Sequence, residues 1–555
     1  MRLFTFIFIF FLAYAECLSQ RTVGTISMTD EALDGLTFYS PFSSNRAFLV
    51  DNCGRLVNVW DRGTRPGLAA YFLENGMMLR TYKVSPVGPF TSASNAGGIE
   101  LVDWDNNTVW SYELNTATEL SHHDAVMMPN GNLLMLTWEL IFRDELIALG
   151  RDPDEIAPQG YAWNERIIEV EMIGTNEINI VWEWKIRDHY IQDFDASLSN
   201  FGVVSEHPEL FDINLAELDS PNSHSELDYN HFNAIDYNEA LDQILISVRN
   251  SDEIWIIDHS TTTAEAASHQ GGQYGKGGDI LHRWVNPFSY DRADISEEHL
   301  FGQHGTHWIK SGPHAGKILI YNNGNGKPGT DFSTLEILVP DQNADGSYPV
   351  PATEPFGPLD TEWKYGDGAQ ETFYSPFLSN GQVLSNGNFL INAGSPGYIF
   401  EIDENRERVW EYVVPLFGDT PATQGANINN NGTFRAYRFP KDFAGFDGQD
   451  LTPGDPIEND PNPLDCDGPS SIQSLLTFDE VQIRNLGFGQ FKIENNSSET
   501  ITLQLFDMHG RLLELKTISN NNHSSFQTPL VSGIYFAKLN TNNGSSVTRK
   551  LMIQN

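Results

Sequence analysis

The chain has 555 residues, 40% hydrophobic and 12% aromatic, enough apolar mass for a large core and more than one domain. Its 33 Lys and Arg stand against 75 Asp and Glu, a formal charge of −42 that repels nucleic acid and anionic membrane and argues against both as partners. An anionic substrate would have to be attracted by a local cluster of His and Arg against an unfavourable global field.

At the N-terminus Arg2 precedes the apolar run Leu3 to Ala15, with small residues at Ala13 and Ala15. This predicts a cleaved secretory signal peptide over residues 1–19 rather than a membrane span, and no other stretch suggests one. After cleavage Cys53 and Cys466 remain, and an oxidising compartment allows one bridge between them; the sequence leaves that pairing open. Two cysteines so far apart form no zinc framework.

Helical periodicity is scarce and clearest over Glu139 to Leu149. Elsewhere short apolar or alternating runs are separated by Asn-Gly, Gly-Gly and Pro-Gly, which predicts an all-β protein. An apolar residue close before Trp recurs six times, at Trp60, Trp110, Trp182, Trp284, Trp363 and Trp410. Asn-Gly hairpins with apolar flanks fall between the copies, around Asn75, Asn130, Asn386 and Asn431, and are expected to be type I′ turns with both central residues at positive φ. Irregular repetition with about four short strands per unit points to propeller blades over residues 20–450. YSPFSSNRAFLV at Tyr39 echoes YSPFLSNGQVLS at Tyr374, so the N-terminal strands are expected to complete the last blade.

In PDQNADGS, Asp341, Asn343, Asp345 and Gly346 have calcium-loop spacing, but Ala352 stands where a bidentate Glu is needed; an ion there would be structural. Residues 451–480, rich in Pro, Asp and Gly, read as a linker. Beyond them, residues 481–555 alternate as a small β-sandwich, with Ile501, Leu503 and Leu505 on one face and turns at His509-Gly510 and Asn543-Gly544. This tail resembles the C-terminal sorting domain of the bacterial type-nine secretion pathway through Leu503 to Leu512, Gly533-Ile534-Tyr535 and the Lys550-Leu551 strand. The resemblance implies engagement of that secretion machinery, then export across the outer membrane to a secreted or cell-surface location.

Three segments could carry chemistry. SHHDAVMMPNGNLLML holds His122, His123 and Asp124; HFNAIDYNEALDQILISVRNSDEIWIID holds His231, Asn233, Ser247 and, eighteen residues after His231, Arg249; FGQHGTHWIKSG holds Gln303, His304 and His307. Each lies near a blade strand, and the inner strands of a propeller converge on its axis, so residues distant in sequence meet there. Imidazoles, an amide and a guanidinium aimed at one spot suit an anion with several oxygens.

These three motifs and their order resemble the bacterial arylsulfate sulfotransferase family, six-bladed propellers that use no nucleotide sulfate donor. The resemblance implies ping-pong transfer of a sulfuryl group from a phenolic sulfate ester to a phenol through a sulfohistidine, with no metal or other cofactor. Carried onto this sequence, His304 is the nucleophile, His123, His231, Asn233 and Arg249 hold the sulfuryl oxygens, and one histidine protonates the departing phenolate. His307, in the same segment as His304, is the competing candidate for facing the substrate. The family's separate N-terminal β-domain has no counterpart here, since fewer than 40 residues separate the signal from the first blade. Two other readings stay open: a metal-dependent hydrolase, lyase or sulfatase, against which Arg249 argues, and a non-enzymatic propeller that binds a polyanion.

Overall fold

The computed structural model describes residues 21–215, 227–294, 299–368 and 371–462, then 481–487, 490–495, 500–507, 512–519, 522–526, 533–541 and 546–553. The expected signal peptide, Cys466, most of the expected linker and the two C-terminal turns lie outside these residues.

The chain divides into two compact units, Met1–Cys466 and Asp467–Asn555. Among the described residues, the first contains six antiparallel sheets of four or five strands, each with its strands in sequence order apart from those that close the ring. We label only the first strand of each sheet: β1 (Pro66–Phe72), β2 (Glu119–Met127), β3 (Phe232–Asn238), β4 (His304–Trp308), β5 (Asn380–Val383) and β6 (Thr433–Pro440). Each packs beside the next and β6 returns to β1, so these strands circle a common axis, the arrangement of a β-propeller. As the echo of Tyr374 at Tyr39 suggests, the N-terminus closes the ring. The strand Gly35–Pro41 pairs with β6, with Tyr39 opposite Ala436, and Gly24–Met28 adds a fifth strand beside Arg408–Val413.

The recurrent Trp is the staple between sheets. Each lies on the fourth strand of its sheet, and five donate the indole N–H to the next sheet or the loops attached to it. Trp60 bonds Asp103 O at 2.8 Å, Trp110 Glu177 O at 3.3 Å, Trp182 Thr261 Oγ1 at 3.1 Å, Trp284 Pro358 O at 2.7 Å and Trp410 Asn52 O at 2.7 Å. Trp363 instead stacks on Phe389 of the following sheet, ring centroids 4.4 Å apart. A large ring fills the wedge between diverging sheets while its one polar atom is satisfied, which explains why Trp recurs there.

Two expectations are corrected. The strand Leu133–Phe142 runs through Glu139 to Phe142, and the helix is confined to Arg143–Ala148. Full pairing with Tyr161–Ile173 and burial of Trp138, Leu140 and Ile141 override the local helical periodicity. The Asn-Gly hairpins at 75, 130 and 386 are not type I′: only Gly76, Gly131 and Gly387 have positive φ. Each Asn accepts the N–H two residues on through its side-chain oxygen, as Asn130 Oδ1 does from Asn132 N at 2.9 Å, which stabilises an ordinary φ at Asn.

Residues 454–459, at the start of the expected linker, pack on the first unit: Gly454 N donates to Leu56 O and Asn459 N to Ala422 O. Cys53 is disulfide-bonded. The second unit contains a three-stranded and a four-stranded antiparallel sheet, and Ile501, Leu503 and Leu505 are buried as one face of its strand Ile501–Asp507. No helix among the described residues is long and apolar enough to cross a membrane.

Candidate active site

The three histidine segments reach the axis at irregular points of the inner strands. His123 in β2 has φ +43° at a register shift; His231 has φ +53° just before β3, which carries its own shift at Phe232 to Ala234; His304 opens β4 before Gly305 at φ +63°. An inserted residue re-aims the side chains next to it, so the strained backbone, at about 1–3 kcal/mol per residue, turns imidazoles inward that a regular strand would point elsewhere.

All three line one cavity of about 550 Å³ together with Arg249, Asp228 and Trp163. Its remaining wall includes the apolar Phe42, Leu68, Phe377 and Leu378. The His123 and His231 rings meet edge to face, centroids 4.5 Å apart. Arg249 directly follows the strand Gln243–Val248, the neighbour of β3, and is 2% exposed, so its charge acts in a poorly solvated space.

Hydrogen bonds set the protons of His304. Asn323 Nδ2 donates to Ser375 O at 2.7 Å and Leu378 O at 3.1 Å, which leaves its Oδ1 as acceptor. His304 Nδ1 lies 2.8 Å from that oxygen and 2.9 Å from Gly302 O. Facing two acceptors, Nδ1 carries the hydrogen, and the Nε2 lone pair is the nucleophilic one. Burial, then Arg249, hold this imidazole well below its ordinary pKa, so it is neutral at pH 7. His123 is likewise held low, by burial and then by His231, His122, His304 and Arg249. His231 Nδ1 faces Asp228 Oδ2 at 2.5 Å, a carboxylate that orients the ring.

Two predicted residues stand elsewhere. Asn233 does not line the cavity; its amide donates to Gln303 O at 2.7 Å and fixes the residue beside His304. His307 lines a second cavity of about 310 Å³, with Asp236, Lys310, Tyr71 and Tyr437. The separation follows from the shift in β4 between His304 and His307. The buried Asp124–Arg435 pair, 3.4 Å apart, also borders that second cavity. Sequence reasoning missed Asp228, Asn323 and Glu165 as partners of the histidines. A carboxylate three residues before His231 was the available signal for the first; nothing local distinguished the other two.

Among the described residues the cluster with metal-ligand spacing is His189, His269 and Asp279, outside this cavity. Both imidazoles face the same Asp279 Oδ1, at 2.8 and 2.7 Å, which are hydrogen-bond lengths. In the Asp341 loop, Asp345 and Asn343 both bond to Ser347, closing the turn on itself.

The fold and cavity define a β-propeller with imidazoles and a guanidinium gathered in one axial cavity, a donor set suited to an oxyanion. The chain belongs to the arylsulfotransferase (ASST) family, whose model matches residues 22–414, and that family supports arylsulfotransferase activity. Residues 488–554 match the secretion system C-terminal sorting domain, which indicates secretion or cell-surface export. No curated protein matches the chain. Among solved structures the chain is similar to a Bacteroides caccae protein of unknown function (TM-score 0.36, 12% identity, 68% of this chain and 93% of that one). It is also similar to a streptogramin B lyase (0.32, 9%, 73% and 86%) and to virginiamycin B lyase from Staphylococcus aureus (0.29, 10%, 72% and 90%). These likenesses are too weak to carry an argument.

Proposed function

We propose that the protein transfers a sulfuryl group from a phenolic sulfate ester to a second phenol, in two steps, through a sulfohistidine at His304. The observation that carries this reading is the proton arrangement at His304: two acceptors hold Nδ1–H, and burial beside Arg249 keeps the ring neutral. In the first step Nε2 attacks sulfur as the S–O bond to the donor phenol breaks, and the phenolate takes a proton from a cavity histidine. In the second step the acceptor phenol loses its proton, its oxygen attacks the sulfur, and the N–S bond breaks. Arg249 and His231 match the charge on the equatorial oxygens, His123 is the cavity histidine that exchanges the proton, and Asn233 acts one layer behind, through Gln303. The apolar wall of Phe42, Leu68, Phe377 and Leu378 suits the aryl group.

For export, the reading is that the signal peptide is removed at the inner membrane and the C-terminal unit then engages the type-nine machinery.

The test is to add a chromogenic aryl sulfate alone and follow chromophore release and intact mass. A burst of one equivalent, with one sulfuryl group located on the His304 peptide, is expected, and added phenol then restores turnover. Steady release without acceptor dependence would indicate a sulfatase. An absence of release would favour a polyanion binder.

A further inference from the structure

Behind His123 lies a buried chain of proton carriers that crosses one sheet from the strand of His122 to that of Glu165, over the intervening strand that holds Trp138. His123 Nδ1 is 2.9 Å from His122 Nδ1, and His122 Nε2 is 3.0 Å from Glu165 Oε2. The other oxygen, Glu165 Oε1, accepts from Phe232 N at 2.8 Å and Trp138 Nε1 at 3.3 Å. His122 stacks flat on Trp138, centroids 4.0 Å apart and planes 8° from parallel, so neither ring can rotate out of line. His122 and Glu165 are 0% exposed. Nothing in the sulfuryl-transfer reading uses these two residues.

Each contact in this chain needs one hydrogen, and with neither imidazole charged two arrangements provide it. In the first, Glu165 Oε2–H donates to His122 Nε2, His122 Nδ1–H to His123 Nδ1, and His123 presents Nε2–H to the cavity. In the second, Glu165 is a carboxylate accepting from His122 Nε2–H, His122 Nδ1 accepts from His123 Nδ1–H, and His123 presents a lone pair. Both imidazoles are neutral in either state. A cation on His123 would face Arg249, His231 with its Asp228, and His304 across the cavity, with Asp124 and Arg435 next to it on the ring.

We infer that Glu165 and His122 form a relay that stores the proton exchanged between the two phenols, so that His123 serves as acid and then base without becoming an imidazolium. This rests on the proposed function. When the donor ester cleaves, His123 Nε2–H passes to the phenolate oxygen, the His122 Nδ1 proton moves to His123 Nδ1, and the Glu165 proton moves to His122 Nε2. The sulfuryl enzyme then holds a Glu165 carboxylate. The acceptor phenol returns its proton along the reverse path, and no proton is gained or lost over the cycle. Burial pushes the Glu165 carboxyl up, against the pull of His122 and Phe232.

Glu165→Gln separates this from a structural role. A glutamine keeps an acceptor for Phe232 N and Trp138 Nε1 and donates to His122 Nε2, which locks the loaded arrangement. With a donor whose phenol is acidic enough to leave unprotonated, the burst should stay close to wild type. Donors of weakly acidic phenols should lose about 100-fold or more. Transfer to phenol should fall comparably near pH 7 and recover as the pH approaches the acceptor's pKa, where phenolate needs no base. A loss equal for all phenols and all pH values, or no loss, overturns the relay. If the variant does not fold, a proton inventory of the wild-type enzyme with a weakly acidic donor decides: a bowed plot is expected, and a straight one overturns it. His123→Ala distinguishes the two levels, because unchanged activity there removes the active-site reading itself, whereas its loss with an unaltered Glu165→Gln profile removes only the relay.

Discussion

Asn323→Ala tests the orientation of His304, the proposed nucleophile. Asn323 fixes His304 without entering the cavity, so the variant alters the support of that ring and leaves every cavity wall in place. It removes one of the two acceptors of His304 Nδ1–H; Gly302 O at 2.9 Å remains and preserves the tautomer. One buried hydrogen bond of this kind contributes about 1–2 kcal/mol, so the burst rate with donor alone should fall about 5- to 30-fold. Two carbonyls also lose a donor. Ser375 O keeps a weak contact from Ser333 Oγ at 3.4 Å, so the stability loss should be on the order of 2–4 kcal/mol, not the full sum for two orphaned acceptors. Stopped-flow release of chromophore gives the first number and denaturant unfolding the second. A wild-type burst would refute the claim that Asn323 orients the ring. A burst as low as that of His304→Ala would refute the claim that Gly302 O holds the tautomer alone.

His307→Ala should leave the burst within about threefold of wild type, since its ring lines the other cavity, whereas Arg249→Ala should slow both half-reactions by about 100-fold or more. Against the lowering effect of burial, hydrogen bonds to Asp242 and Glu169 raise His259 to about 9, above its unfolded value. Its contribution is therefore fully present below about pH 6.5 and lost as pH rises through 9, on the order of 2–3 kcal/mol, and His259→Gln should flatten that alkaline limb in pH-dependent unfolding. His123, His282 and His304 are shifted the other way by burial, so their neutral forms stabilise the fold above about pH 6.5 and that stability is lost on acidification. Trp410→Ala should cost about 3–5 kcal/mol by opening the wedge between the sheet of β5 and the N-terminal strands, measured by the same unfolding assay.

Much of this architecture was legible in the sequence because its causes are local or periodic. Alternating apolar residues and Asn-Gly punctuation gave strands, the Trp repeat marked the sheets it staples, and the spacing from His231 to Arg249 placed them at the ends of adjacent strands of one sheet. The helix expected from Glu139 failed because pairing on both sides of Leu133–Phe142 outweighs periodicity over a few residues. The turn type failed because an Asn side chain can satisfy the backbone in two ways and only the flanking strands decide which.

The composition and order of the chain by themselves determined an acidic, exported, all-β protein with three histidine segments able to share one space. Only the tertiary structure decided which imidazole is presented and in what protonation state. His304 and His307 are three residues apart and chemically identical, and what separates them is a shift in strand register, two carbonyls that fix Asn323, and the field of the buried Arg249. Those are long-range contacts, and a linear pattern of residue types carries no record of them.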